Sequence, residues 1–171
     1  MILSEEEKNE LEDLYQSLLN NELILRMKEI PMHRGSNCYV HSFKVAKESI
    51  KRALRRKKRL DYKSLLLACI FHDYYLYDWR KDKEKKRHHA SNHPYIAIEN
   101  AIRDFDIPTQ VQDIMKSHMW PINIKIFPHS SEAKILMNVD NLIAVKEFLV
   151  SSSYKKKHEK ENLEFISKLF D

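Results

Sequence analysis

Glycine is almost missing from this chain: Gly35 is the only one in 171 residues. Tight hairpins need residues that accept positive φ, and phosphate-cradling loops need several glycines close together. Both devices are out of reach, so an all-helical protein is expected. The two cysteines, Cys38 and Cys69, are too few for a disulfide framework and suit a reducing cytoplasm. Each stands three residues before a histidine, yet zinc sites of that spacing bring further thiolates, so both read as small core residues. Long apolar runs are also absent. Stretches such as Leu65–Phe71 fall far short of the roughly 20 residues a membrane span requires, and the first 30 residues are too acidic for a signal peptide. A soluble cytoplasmic protein with no membrane partner is the expectation.

Charge of one sign is only mildly in excess: 30 Lys and Arg against 25 Asp and Glu leave +5. That balance admits phosphorylated ligands without identifying a nucleic-acid binder. The basic stretch Lys51, Arg52, Arg55, Arg56, Lys57, Lys58, Arg59 is by default a solvated helix end favoured by the helix dipole. Together with Lys81, Lys83, Lys85, Lys86 and Arg87 it is alternatively a nucleic-acid track, although no known binding motif accompanies it. With 43% hydrophobic and 32% charged residues in 20.5 kDa, the composition is that of one globular domain.

Ser4 with Glu7 is a capping box, and Leu11, Leu14, Tyr15, Leu18 and Leu19 follow at helical spacing, so residues 1–30 form a helical N-terminal extension. Pro31–Ser36 interrupts the pattern. Tyr39, Phe43, Ala46, Ile50 and Ala53 mark a second helix, and Asp61 caps a third whose body is apolar on every side and therefore central. Residues 74–91 read as a long exposed connection of the kind that often carries function. Asn92 ahead of His93-Pro94 is expected to cap the next helix, and Thr109 with Gln112 the one after it; Met119–Ser130 is a loop. Helices over 131–150 and about 154–169 complete the chain.

The informative residues are those whose polarity contradicts their position. His72 and Asp73 end the most apolar helix, where an unpaired carboxylate would cost several kcal/mol. Asp140 is the only acid between Ala133 and Lys146. His118 completes the core series Val111, Ile114, Met115; His93 starts a helix and shares a face with Ala97 and Asn100, and His41 lies at the edge of its helix's apolar arc beside Cys38 and Val45. Singly, a core histidine is a hydrogen-bonded packing residue and a buried aspartate an ion-pair partner. Together, four histidines and two aspartates turn inward on faces that lack Lys and Arg, and a divalent ion would satisfy them all.

Tyr39-Val-His41-Ser-Phe-Lys-Val-Ala46, Ala68-Cys-Ile-Phe-His72-Asp73-Tyr and Val139-Asp140 resemble the ordered His, His-Asp, Asp signature of the HD-domain metal-dependent phosphohydrolase superfamily. The resemblance spans roughly residues 33 to 147 and implies a single-domain HD-type helical bundle with 33–147 as its metal-binding core, beyond which residues 151–171 are expected to add a C-terminal helix. His93-Pro94 and His118 are similar to the extra histidines of the subset binding two metals, one branch of which cleaves dinucleoside polyphosphates. Ser117-His118-Met119-Trp120-Pro121 and His89-Ala-Ser-Asn-His93-Pro94 are similar to a bacterial group in that superfamily. Many relatives carry a lysine where this chain has Leu76, so their phosphate contacts do not transfer.

The resemblance implies that His41, His72, Asp73 and Asp140 hold one ion and that Asp73 bridges to a second held by His93 and His118. The activity it implies is hydrolysis of a small nucleotide, dinucleoside polyphosphate or other phosphorylated metabolite, with Asp73 helping to activate water. Mixed imidazole and carboxylate donors suit Fe, Mn, Zn, Ni or Co better than Mg or Ca. His89, four residues before His93, is a further candidate ligand, and equally a solvated residue of its basic segment. Arg34 and Lys44 are candidate phosphate contacts, and equally plain surface cations. Trp79 and Trp120 are candidates to stack a base, against the plainer reading that they pack loops. Two rivals remain at this level: a structural or sensory metal site, and a basic nucleic-acid-binding module.

Overall fold

In a computed structural model the described residues are 3–32, 36–56, 58–81 and 83–149, the side chain of Lys85 excepted. Among them every regular element is helical and no strand forms. Helix α1, Glu5–Leu19, opens on the expected capping box: Glu7 N–H donates to Ser4 Oγ at 3.1 Å and Ser4 N–H to Glu7 Oε2 at 2.8 Å. Asn21 caps the short α2, Glu22–Leu25, which tightens into a 3₁₀ turn over Arg26–Glu29. Asn37 and Asp61 accept from the first-turn amides of α3, Cys38–Leu54, and α4, Tyr62–Phe71. The remaining helices are α5, Lys83–Phe105, α6, Thr109–Lys116, and α7, Ser131–Leu149.

Helix α4 is the hub, as its all-round apolarity predicts. Leu65, Leu66, Ile70 and Phe71 are fully buried, at about 2 kcal/mol each on transfer grounds, and α1, α3, α5, α6 and α7 all contact this helix. Helix α3 packs on both α4 and α7, while α6 packs on α4, α5 and α7. This arrangement brings the C-terminal end of α4 against the flanks of its neighbours. Cys38 and Cys69 are buried, unpaired core residues. No helix of the described residues is long and apolar enough to cross a membrane.

Four expectations are corrected. The connection after Asp73 is shorter than expected and buried where it starts: Tyr74 and Tyr75 are buried, a 3₁₀ turn spans Trp79–Lys81, and α5 begins at Lys83, while Arg80, Lys81, Lys83, Glu84, Lys86, Arg87 and His88 carry exposed side chains. Asn92 and Pro94 therefore lie inside α5. Pro94 removes one amide donor, but Glu84, Lys86 and Arg87 are good helix formers and carry the helix upstream of it. Thr109 does not cap α6; Pro108 holds the cap position without a side-chain bond, and Gln112 Nε2 instead donates to the Ile107 carbonyl at 3.0 Å. Finally, α6 stops at Lys116, so His118 sits in the turn beyond it. The helix expected over 154–169 lies outside the described residues.

With one glycine available, other residues take up left-handed backbone. Asp106 adopts φ 49° just after α5, and its N–H bonds the Ile102 carbonyl at 3.0 Å as in a helix-terminating αL cap. Leu76, in the turn that follows His72-Asp73, holds φ 55°, a conformation that costs a bulky residue on the order of 1 kcal/mol. The turn redirects the chain from the end of α4 toward α5.

Candidate metal centre

Four helices and the turn after a fifth deliver the polar residues to one buried locus. His41 comes from the first turn of α3, His72 is the C-cap of α4 and Asp73 follows it, His93 lies mid-way along α5, His118 just past α6, and Asp140 within α7. All six are at most 8% exposed. The ligating atoms of His41, His72 and Asp140 all fall within 4.8 Å of one another, and so do those of Asp73, His93 and His118.

Asp73 joins the two groups. Its Oδ2 lies 3.2 Å from His72 Nε2 and 3.8 Å from His41 Nε2, while Oδ1 lies 3.3 Å from His93 Nε2. Asp140 Oδ1 stands 2.9 Å from His41 Nε2 and 3.6 Å from His72 Nε2. Neighbouring ligands bonded at about 2.0–2.1 Å to a common octahedral or tetrahedral ion are separated by about 2.8–3.4 Å; the 2.9, 3.2 and 3.3 Å spacings fall in that range, and those of 3.6 and 3.8 Å lie just above it.

The tautomers say which atoms are on offer. A carbonyl oxygen can only accept, so Nδ1–H of His72 donates to Cys69 at 2.8 Å, that of His93 to His89 at 2.9 Å, and that of His118 to Met115 at 2.7 Å. His93 and His118, kept neutral, then turn bare Nε2 lone pairs inward, whereas Nε2 of His72 faces Asp73 Oδ2 at 3.2 Å and Asp140 Oδ1 at 3.6 Å. His93 Nε2 faces His118 Nε2 at 2.8 Å. Two lone pairs at that distance repel unless an electrophile lies between them. A proton is a poor answer, because burial, and then the charge of neighbouring histidines, pushes His93 down to about 3 and also lowers His118. Buried His/Asp groups of this kind could hold a metal ion.

The first group is charged differently. Burial pulls His41 down, but hydrogen bonds to Asp140 and Glu147 outweigh it and raise the ring to about 9. His72 is raised well above its ordinary value against burial by the charge of Asp73 and the Asp140 hydrogen bond. Burial alone would raise the two aspartates, yet His72 holds Asp73, and His41 with His72 hold Asp140, far below the usual carboxylate range.

Some expected site residues sit elsewhere. His89 is half-buried and stacks between Trp79, at 5.0 Å, and His93, at 4.7 Å; its Nδ1 meets the Tyr77 hydroxyl at 3.0 Å, and it belongs to neither ligand group. Trp79 packs on that ring with the Arg80 guanidinium 4.9 Å from its own centroid. Trp120 lies edge-on to Phe127, with ring centroids 5.5 Å apart. Lys44 Nζ is 3.4 Å from Glu147 Oε1, so a lysine does neutralise this region, contrary to the expectation that Lys and Arg are absent from those faces. Arg34 lies outside the described residues. In the basic stretch, Arg59 pairs with Glu7 and Lys58 with Ser131 Oγ on an exposed face.

Glu147 is the residue that sequence reading missed. It is 2% exposed, and its Oε2 receives His41 Nδ1 at 3.0 Å. The available signal was spacing: Glu147 is two turns beyond Asp140 on the same face of α7. A scan against protein-family models and searches of curated proteins and solved structures found no match.

Proposed function

We propose that this chain is a metal-dependent phosphohydrolase with an HD-type site, acting on a small nucleotide, a dinucleoside polyphosphate or another phosphorylated metabolite. The observation that carries the reading is the convergence of imidazole Nε2 atoms, those of His41 and His72 on Asp73 and Asp140 and two opposed at His93 and His118, around an aspartate that reaches both groups. His41, His72, Asp140 and Asp73 would hold one divalent ion, and Asp73, His93 and His118 a second. The donor set favours Fe, Mn, Zn, Ni or Co. When bound, such ions supply Lewis acidity, bringing water's pKa toward neutrality and neutralising charge on phosphoryl oxygens.

The chain's own residues do the rest. Asp73 stays ionised at neutral pH, because His72 outweighs the burial that would otherwise protonate it. It reaches both groups with separate oxygens, which fits it to bridge two ions and so to help activate water held between them. The backbone carbonyls of Cys69, His89 and Met115 keep three imidazoles in one tautomer and stop the rings from turning. Tyr75, buried with its ring edge on His89 and His93, excludes water behind the second group.

The burial of every candidate ligand favours a structural or sensory metal site as the second reading, since catalysis needs an open position. One experiment separates the two. Chelator-stripped protein, reconstituted in turn with Mn, Fe, Co, Ni, Zn and Mg, is assayed for product release from nucleotides, dinucleoside polyphosphates and simple phosphomonoesters. Metal-dependent turnover that Asp73→Ala abolishes, with helical circular dichroism retained, supports the hydrolase. Tight metal binding without turnover of any substrate overturns it in favour of the sensory site.

A further inference from the structure

We infer that Glu147 is a positioning residue for the metal centre, fixing His41 so that Nε2 faces Asp140 and Asp73. The inference rests on the metal-dependent reading above. His72, His93 and His118 each satisfy Nδ1 on a carbonyl three or four residues back in their own segment. His41 does not follow that rule. It lies in the first turn of α3, and the Asn37 carbonyl four residues back already accepts the His41 backbone amide at 3.1 Å. The Nδ1 partner comes instead from Glu147, across the protein on α7, at 3.0 Å.

Helix α7 thus grips one imidazole from both sides, with Asp140 Oδ1 2.9 Å from Nε2 and Glu147 Oε2 3.0 Å from Nδ1. The seven-residue separation is what allows it, since two helical turns return to the same face. A carboxylate on the far nitrogen fixes ring orientation and makes the metal-facing nitrogen a stronger donor than a carbonyl would. Its burial is tolerable because Lys44, about a quarter exposed, approaches Oε1 at 3.4 Å. The two ligand groups are thereby unequal: Asp73, Asp140 and Glu147 surround the first, whereas Asp73 alone of these serves the second.

The test uses Co2+ as the probe on the full chain. Glu147→Gln preserves shape and removes the charge; Co2+ affinity of the tighter site should fall about tenfold to a hundredfold, with unchanged stoichiometry and apo circular dichroism and with shifted visible absorption bands. Glu147→Asp should recover part of the lost affinity. Binding by Glu147→Gln within twofold of wild type and with an identical spectrum overturns the inference while leaving the metal reading intact. Failure of the wild-type chain to bind Co2+ overturns both. If Glu147→Gln does not fold, nitrogen-15 NMR of the Zn2+-loaded wild type decides the matter: protonated Nδ1 and metallated Nε2 on His41 support the assignment, and the reverse tautomer refutes it.

Discussion

Loading the two ligand groups should release different numbers of protons. In the metal-free protein His41 is raised to about 9, chiefly because hydrogen bonds to Asp140 and Glu147 overcome its burial. At pH 7 a group with that pKa is about 99% protonated. A metal can take Nε2 only after the proton leaves, so the first group gives up about one proton from His41 and up to one more from His72, which is also raised. His93, pushed down to about 3, and His118, also lowered, are already neutral and release none. Apparent affinity at the first group should therefore climb about tenfold to a hundredfold per pH unit between pH 6.5 and 8, while the second is flat. Calorimetric titration of Zn2+ in buffers of contrasting ionisation enthalpy counts the protons directly. Equal release from two resolved binding events, or none at the tighter one, would refute the electrostatic reasoning.

Metal at a thousandfold excess over its Kd should stabilise the fold by about 4 kcal/mol, about 8–16 °C in melting temperature for a chain of this size, read by scanning calorimetry before and after chelation. Acid should weaken the metal-free protein: His93 and His89, pushed down to about 3 and about 4 mainly by burial, take up protons more readily when unfolded. Their contribution is intact above pH 6.5 and lost as pH falls from there through 4, so the urea midpoint should drop across that window, and a midpoint constant from pH 7 to 4 would contradict the assignment. Leu66→Ala, a fully buried truncation in α4, should cost about 2–5 kcal/mol in chemical denaturation with metal stoichiometry preserved.

The parts of the molecule legible in sequence were those where pattern and chemistry disagree. His72-Asp73 ending an apolar helix and Asp140 within another stood out because burial of such groups needs compensation, and the structure brings them together. The capping signals of α1, α3 and α4 were equally local and equally readable. The start of α5 was not. Lys83–His88 carries no apolar period, so its helicity follows from propensity and from the stacking of Trp79, His89 and His93, which only the assembled fold reveals. The end of α6 failed for the opposite reason: periodicity carries through Met115 to His118, but the helix stops at Lys116 and a turn swings the ring inward. Glu147 escaped because an acid near the end of an amphipathic helix normally faces water. Its burial is created by His41 and Lys44 from α3, residues more than a hundred positions away.

Anomalous diffraction from crystals grown with Zn2+ or Mn2+, at energies bracketing the metal edge, addresses the core of this account directly. The expected map has a peak within bonding distance of Nε2 of His41 and His72 and an oxygen of Asp140. A second peak is expected beside Nε2 of His93 and His118, with Asp73 between the two. Metal located only at surface residues, with the four imidazoles in their present places and nothing between His93 and His118, would contradict it.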